Sequence, residues 1–324
     1  MNNYVIILII IILLLLFVYL IFRKNNDNVE EKIDINPQDK IVWAYWENKD
    51  GYIPTHIKLC FETFEKHLKP KYKLIILNEK TVKKYLPGVR NDLNNLMIAQ
   101  KVDYYRIALL HKYGGIWIDA DTIIMRDFDE IFDKIASPSA RSSVDGRVAK
   151  PPCLEIGCEN GGAGEAILYD FVGFGCTQTV CFDGKDQPSN GVLAARKNSK
   201  LMKLCLDKLN KKLDEKKKND KLGYFDLGKY VIWDALKELK KDGYDYYHFP
   251  SSYDGTRDIN GYWLDTNRHF SEEDIKLIDE NKPFFIFLTN AGINKYQPWV
   301  KKAKREELLN GKYWISKMFR KALK

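Results

Sequence analysis

Ala99-Gln100-Lys101-Val102-Asp103-Tyr104-Tyr105-Arg106-Ile107-Ala108-Leu109-Leu110-His111-Lys112-Tyr113-Gly114-Gly115-Ile116-Trp117-Ile118-Asp119-Ala120-Asp121 carries three signals in a row. The first is a helical pattern that reaches back to Leu93 and stops at Gly114-Gly115, a pair suited to a helix end. The second is the apolar run Ile116–Ile118, short enough for a buried strand. The third is a pair of aspartates placed directly after that strand. Outward from this segment, Ile41–Tyr45 and Tyr72–Leu77 also read as strands. Between them, Thr55–Leu68 repeats apolar residues at helical spacing and ends before Pro70. The order strand–helix–strand–helix–strand predicts an α/β domain with a mostly parallel sheet and flanking helices.

The rest of the chain is less regular. Residues 137–190 are rich in Ser, Gly, Pro and Cys and predict loops and short strands. Gly191–Ala195 reads as a strand, Ser199–Leu213 as a helix, and Phe284–Leu288 as a late buried strand. Lys211–Asp220 is a charge run of the kind found at a solvated helix end. Near the C-terminus, Ile315, Met318, Phe319, Ala322 and Leu323 form an apolar stripe opposite Lys317, Arg320, Lys321 and Lys324. Such a helix docks on its own domain or lies on a membrane surface.

Hydrophobic residues make up 45% of the chain and charged residues 30%, a mix that excludes wholesale disorder. The net charge of +8 at pH 7 favours anionic partners. From Val5 to Phe22 the chain is uncharged and apolar. A helix there rises about 1.5 Å per residue and nearly crosses a bilayer core of roughly 30 Å. No small-residue cleavage site follows, so residues 1–24 are expected to be a retained transmembrane anchor, residues 25–39 a polar stalk, and residues 40–324 the folded domain. Arg23, Lys24 and Lys32 follow the run and no Lys or Arg precedes it, which places the body of this single-pass protein on the cytosolic side. Of the six cysteines, Cys60 and Cys205 fall in apolar helical patterns and read as buried thiols. Cys153, Cys158, Cys176 and Cys181 fit free thiols, disulfides or a structural zinc site. His56, His67 and His111 sit among charged neighbours and read as surface residues.

Asp119-Ala120-Asp121 carries little information as a bare triplet, because Asp127-Phe128-Asp129 repeats the pattern a few residues later. Context separates the two. The second triplet opens a helix at Glu130-Ile131-Phe132, where carboxylates satisfy backbone N–H groups. The first follows a strand of an open α/β sheet, at the end where such sheets bind ligands. On an extended chain Asp119 and Asp121 point to one side, and two crowded carboxylates favour a cation between them. A hard divalent ion there would also bind phosphate oxygens. Asp103 and Arg106, three residues apart on the preceding helix, share one face and can approach the same crevice.

The pattern from Ala99 to Asp121, with Asp103, Arg106, Gly114-Gly115, Asp119 and Asp121, resembles the sugar-binding region of the DXD glycosyltransferases. Within that superfamily, Ile41–Trp46 followed by Ile53-Pro54 looks most like the capsular polysaccharide synthesis group. The resemblance is clear over residues 40–135 and faint beyond. It implies a GT-A type fold, Rossmann-like, and a retaining transfer of a hexose from a nucleotide-diphosphate sugar to a glycan or other hydroxyl acceptor, with Mn²⁺ or Mg²⁺. By the same likeness Asp103 and Arg106 hold donor-sugar hydroxyls, and Ala44, Tyr45 and Trp46 line the nucleotide pocket. Asp119 contacts ribose, sugar or metal, and Asp121 is the direct metal ligand. Relatives often complete the metal shell with a late His. Here Asn290 stands after the late strand, fit either to ligate through its carbonyl oxygen or to cap a turn. Two other functions use parts of this pattern: a catalytically inactive sugar-binding membrane protein, and a metal-dependent nuclease or phosphotransferase. The intact Asp103, Arg106, Asp119 and Asp121 argue against the first, and the Asp103/Arg106 helix is unexplained by the second. No nucleic-acid partner is expected.

Overall fold

Strand β1 (Ile41–Tyr45) is buried along its whole length, as a strand covered on both faces must be. The computed structural model describes residues 33, 35–36, 38–47, 51–135, 168–176, 187–217 and 220–324. Within it β1 pairs in parallel with β2 (Lys73–Leu77) on one side and β3 (Gly115–Ile118) on the other. Parallel neighbours need a crossover. Helix α1 (Thr55–His67) lies between β1 and β2, and α2 (Ile98–Tyr113) leads into β3. The further strands are β4 (Thr122–Ile124), β5 (Phe171–Gly173), β6 (Gly175–Cys176), β7 (Gln187–Pro188), β8 (Val192–Ala195), β9 (Tyr247–His248) and β10 (Phe285–Phe287). The main sheet has the order β2-β1-β3-β8-β5-β9. Only β8 runs against its neighbours, so the sheet is mixed and mostly parallel. A separate antiparallel ribbon joins β4 to β10. Pro37–Lys324 forms one compact unit, distinct from Met1–Asn36.

Helix α2 begins later than its apolar pattern suggests. Asn91–Asn95 makes a 3-10 turn, Leu96 is extended, and the α-helix starts at Ile98. Gln100 accounts for the break. Its Oε1 accepts from the Met97 N–H at 3.3 Å, and its Nε2 donates to the Leu222 and Gly223 carbonyls at 3.0 Å each. One side chain therefore both starts the helix and holds a distant loop. At the other end Gly114 and Gly115 take φ of +73° and +99°, a region where glycine meets no Cβ clash. The Trp43 indole donates to the Gly114 carbonyl at 2.9 Å, fastening the helix end to β1.

Helix α3 (Lys200–Glu215) is capped by the Ser199 hydroxyl, which accepts from the Met202 N–H at 3.2 Å. It packs against α2 and against α4 (Lys229–Lys240). Toward the C-terminus come α5 (Asn290–Tyr296) and α6 (Trp314–Leu323). Helix α6 buries Trp314, Ile315, Phe319 and Ala322 against α1 and β4, so its apolar stripe docks on its own domain and is not available to a membrane surface.

Several expectations are corrected. The single-pass membrane assignment, with its cytosolic body, does not hold: among the described residues no helix is long and apolar enough to cross a membrane. The longest, α2 and α3, have 16 residues each and carry charges, short of the ~20 apolar residues a bilayer core requires. The run Val5–Phe22 lies outside the described residues, as do Cys153, Cys158 and Cys181. Cys60 and Cys205 are free and buried, as expected. His56 is fully buried rather than superficial. Asp127 and Asp129 do start a helical turn, with the Asp127 carboxylate accepting from the Asp129 N–H at 3.2 Å. Their larger role is to grip Lys71, whose Nζ lies 2.7 Å from Asp127 and 2.8 Å from Asp129. This ties the turn to the entry of β2.

His269 yields a stability prediction. It is buried, its ring stacks on Trp314 with centroids 5.5 Å apart, and its Nδ1 has no partner. Burial pushes its pKa down to about 4, with Arg268 adding to the drop and Asp265 opposing it. The unfolded chain takes up this proton at higher pH than the folded one, so stability is full above the ordinary histidine range and falls as pH drops toward 4. At pH 5 the loss from this residue is about 2 kcal/mol. His269→Phe keeps the stack and cannot protonate. Urea unfolding at pH 7.5 and pH 5 should show a smaller loss in the variant, and an unchanged loss would refute the assignment.

Candidate active site

The site is built where β1 and β3 end. Their parallel pairing aligns Val42 with Ile116 and Trp43 with Trp117, a register that carries Tyr45 level with Asp119. The residues after both strands therefore emerge at the same edge of the sheet, and α2 returns alongside it. Asp103 and Arg106 are on the α2 face turned toward this edge, where each side chain keeps only 5% of its surface.

Arg106 organises the cluster. Its Nη2 lies 3.3 Å from Asp103 Oδ1 and 3.2 Å from Asp119 Oδ1. Its Nη1 donates to the Asn190 carbonyl, and its guanidinium carbon sits 5.2 Å from the centre of the Trp117 ring. Trp117 also donates its indole N–H to Asp119 Oδ1 at 2.9 Å. Asn190 donates its carboxamide to Asp103 at 3.1 Å. Asp119 is thus held by a guanidinium and an indole through one oxygen, while its side chain keeps 30% of its surface. Asp103 and Arg106 form the rear of the site, with Asp119 and Asp121 in front.

Asp121 is held differently. Its carbonyl accepts from the Leu288 N–H at 2.9 Å, and its carboxylate accepts from the Asn290 N–H. The β4–β10 ribbon causes this, because β4 begins right after Asp121 and β10 ends just before Asn290. Thr289 makes the intervening turn in the left-handed region at φ +57°. That conformation costs a residue about 1–3 kcal/mol, and it swings the Asn290 amide onto Asp121. The Asn290 carboxamide oxygen lies 3.4 Å from His56 Nε2. Among the described residues no Lys or Arg comes within ion-pair distance of Asp121.

Charge is unbalanced here. Asp103 and Asp119 share one guanidinium, and Asp121 adds a third carboxylate outside ion-pair distance of it. Burial raises all three pKa values. Asp103 is pushed up to about 7 against the pull of Arg106. Asp121 rises to about 6, by burial first and by the charge of Asp119 second. Asp119 is raised by burial against Arg106 and Trp117. A group of this kind gains from a cation at its front. Asp119 and Asp121 offer hard carboxylate donors that suit a divalent ion, while the Asn290 carboxamide oxygen is turned to the His56 imidazole. Among the described residues no group of three or more His, Cys, Asp or Glu side chains is placed to hold a metal ion.

Ala44 and Tyr45 are buried and Trp46 is half-buried. The Trp46 Nε1 is enclosed without a partner. The Tyr45 hydroxyl donates to Glu47 at 2.6 Å, and Glu47 pairs with Lys101 at 2.6 Å in a nearly closed setting. Sequence reading missed Glu47, Lys101, Asn190 and Trp117. The position of Lys101 on the buried face of α2 was a usable signal for a buried pair. The two-residue spacing of Trp117 and Asp119 was another. Nothing in the sequence marked Asn190.

The sequence profile of the capsular polysaccharide synthesis protein family matches residues 20–249. Part of the chain is 30% identical over 135 residues to O-glycosyltransferase braB of Annulohypoxylon truncatum, covering 36% of this chain and 32% of that protein. The match therefore spans about a third of the relative's length. Among solved structures, the PaToxG glycosyltransferase aligns with a TM-score of 0.38 and 16% identity over 68% of this chain and 76% of that one. The glycosyltransferase GlyE of Streptococcus pneumoniae TIGR4 aligns with a TM-score of 0.39 and 15% identity over 87% and 64%. With a family profile matched over more than half its length, the chain belongs to the capsular polysaccharide synthesis proteins.

Proposed function

We propose that this protein is a glycosyltransferase with a GT-A type scaffold, moving a hexose from a nucleotide-diphosphate sugar to a hydroxyl acceptor with retention of anomeric configuration. The observation that carries the reading is the buried cluster of Asp103, Arg106 and Asp119 behind Asp121, at the ligand-binding edge of the sheet. Family membership and the glycosyltransferase named among its relatives support it. In this reading Ala44, Tyr45 and Trp46 border the nucleotide, and Asp119 and Asp103 accept hydrogen bonds from sugar or ribose hydroxyls. Arg106 is chiefly a positioning residue, since its two Nη groups are already engaged with Asp103, Asp119 and Asn190. Asp121, Asp119 and the Asn290 carbonyl oxygen would hold Mn²⁺ or Mg²⁺, which when bound neutralises charge on the diphosphate. In the transfer the acceptor oxygen bonds to the anomeric carbon. The bond from that carbon to the diphosphate breaks with its electron pair, and the acceptor proton leaves with the nucleoside diphosphate.

The two aspartate triplets provide an internal control. Asp121→Asn keeps the shape of the site and removes the charge without a cationic partner. Loss of such electrostatic support costs about 3–4 kcal/mol in the transition state, a rate loss of some hundreds-fold. Asp127→Asn touches only the Lys71 grip and the turn at Asp129 and should retain activity. Mn²⁺-dependent donor hydrolysis by the purified variants decides the matter: near-normal activity in Asp121→Asn, or its loss in Asp127→Asn, defeats the proposal.

Arg106→Ala should act even without ligand. It leaves Asp103 and Asp119 in their buried setting with no counter-charge, and breaking a buried pair costs about 3–5 kcal/mol. Chemical denaturation should show that loss, and Asp103→Asn introduced alongside should recover part of it. If Arg106→Ala melts like the parent, Arg106 does not hold the cluster together.

A further inference from the structure

Beside the carboxylate cluster lies a run of aromatic side chains that the transfer chemistry leaves without a task. Tyr224, Phe225 and Tyr230 keep 50%, 40% and 48% of their surface exposed. Their rings follow one another at 5.0 Å from Tyr224 to Phe225 and 5.9 Å from Phe225 to Tyr230. A further 5.7 Å leads to half-buried Trp233. Lys229 reaches into the row, its Nζ 4.5 Å from the Trp233 ring and 5.4 Å from Phe225. Contiguous exposed aromatic surface of this kind is a candidate binding site.

Two contacts fix the row to the site. Gln100, on the helix that carries Asp103 and Arg106, donates to the Leu222 and Gly223 carbonyls at 3.0 Å. Gly228 lies against Asp103 so closely that a Cβ there would stand 2.4 Å from the Asp103 carboxyl carbon, so only glycine lets the segment pass. In keeping with these contacts, the Tyr224 phenol is raised by burial and then by the charges of Asp119, Asp121 and Asp103. At its far end the Trp233 indole donates to the Pro188 carbonyl at 3.1 Å, so the row is anchored at both ends.

Resting on the glycosyltransferase reading above, we propose that Tyr224, Phe225 and Tyr230 form an acceptor subsite that stacks the pyranose rings of a glycan chain. The chemistry of the row selects this occupant. A pyranose presents an apolar C–H face and a rim of hydroxyls. The rings stand edge to face, at 88° between Tyr224 and Phe225 and 63° between Phe225 and Tyr230, so each face meets a separate pyranose, and the tyrosine hydroxyls meet the rim. A purely apolar partner leaves those polar groups unmatched. A nucleobase stacks on rings as well, but the nucleotide is assigned to the end of β1, so the acceptor remains for this surface.

The test titrates oligosaccharides of glucose, mannose, galactose and N-acetylglucosamine into the full chain and follows binding by saturation-transfer NMR. At least one should bind, with saturation strongest on ring C–H protons. Phe225→Ala and Tyr230→Ala should each weaken it roughly five- to tenfold, whereas Phe225→Trp should preserve it. Tyr262→Ala, an exposed aromatic on another segment, should leave binding unchanged, and thermal melts verify that each variant is folded. The proposal is overturned if no oligosaccharide binds, if the alanine variants bind as the parent does, if Tyr262→Ala weakens binding equally, or if a bare nucleoside diphosphate displaces the glycan from the row. Donor hydrolysis by the parent protein is measured separately. Glycan binding that depends on Phe225 and Tyr230 without any donor hydrolysis upholds the subsite and sinks the transferase reading instead.

Discussion

A single guanidinium buried among carboxylates sets the architecture of this protein's working edge. Arg106 keeps 4% of its surface, and desolvating a charge that fully is tolerable only with partners in place. Those partners come from separate parts of the chain: Asp103 from the same helix, Asp119 from the end of β3, and Asn190 from the segment before β8. Partnering the two Nη groups of Arg106, while its Nε stays unpartnered, thereby fixes the helix α2 against β3 and the segment before β8. The Gly114-Gly115 turn makes this possible by folding α2 directly back into β3. Trp117 closes the arrangement, with its ring under the guanidinium and its N–H on Asp119.

The front of the site depends on a second, independent device. The β4–β10 ribbon brings a late part of the chain to Asp121, and the left-handed Thr289 points the Asn290 amide at its carboxylate. A β-branched residue is poorly suited to that conformation, so the surrounding ribbon must hold it there. Asp119 and Asp121 are only two residues apart, yet one is tethered by a cation and the other by a backbone amide. That difference leaves Asp121 as the carboxylate whose charge has no cationic partner of its own.

Much of this was legible in the sequence, for reasons that differ by element. β1, α1, α2 and β3 announce themselves because a strand buried on both faces is a plain apolar run, and helices carry their period openly. The start of α2 was placed too early because Leu93 and Leu96 continue the apolar pattern, while the break depends on hydrogen bonds from Gln100 to a loop more than a hundred residues away. His56 was misread because its neighbours Thr55 and Lys58 are polar, although the helix rotates His56 fully inward. Asp103 and Arg106 could be paired by spacing alone. That the pair also grips Asp119 and Asn190 is a tertiary fact, since no local pattern encodes the return of the segment before β8. Helix α4 escaped notice for a related reason: its exposed Tyr230 and half-buried Trp233 blur the boundary between apolar and polar faces.

The same charge imbalance that suits the site to a cation also shapes what can surround it. Three carboxylates against one guanidinium repel one another unless protonation or a counter-ion relieves them. A cationic wall would relieve them permanently and leave Asp121 with no affinity to spare for a ligand. The chain instead borders the cluster with neutral groups: the Asn190 carboxamide, the backbone at Gly228 and the Tyr224 phenol. Lys229, the nearest lysine in sequence to this border, is turned onto the Phe225 and Trp233 rings. A neutral, aromatic border preserves the negative potential of the cleft. In the acceptor-subsite proposal, its exposed rings let an uncharged substrate approach without competing for that potential.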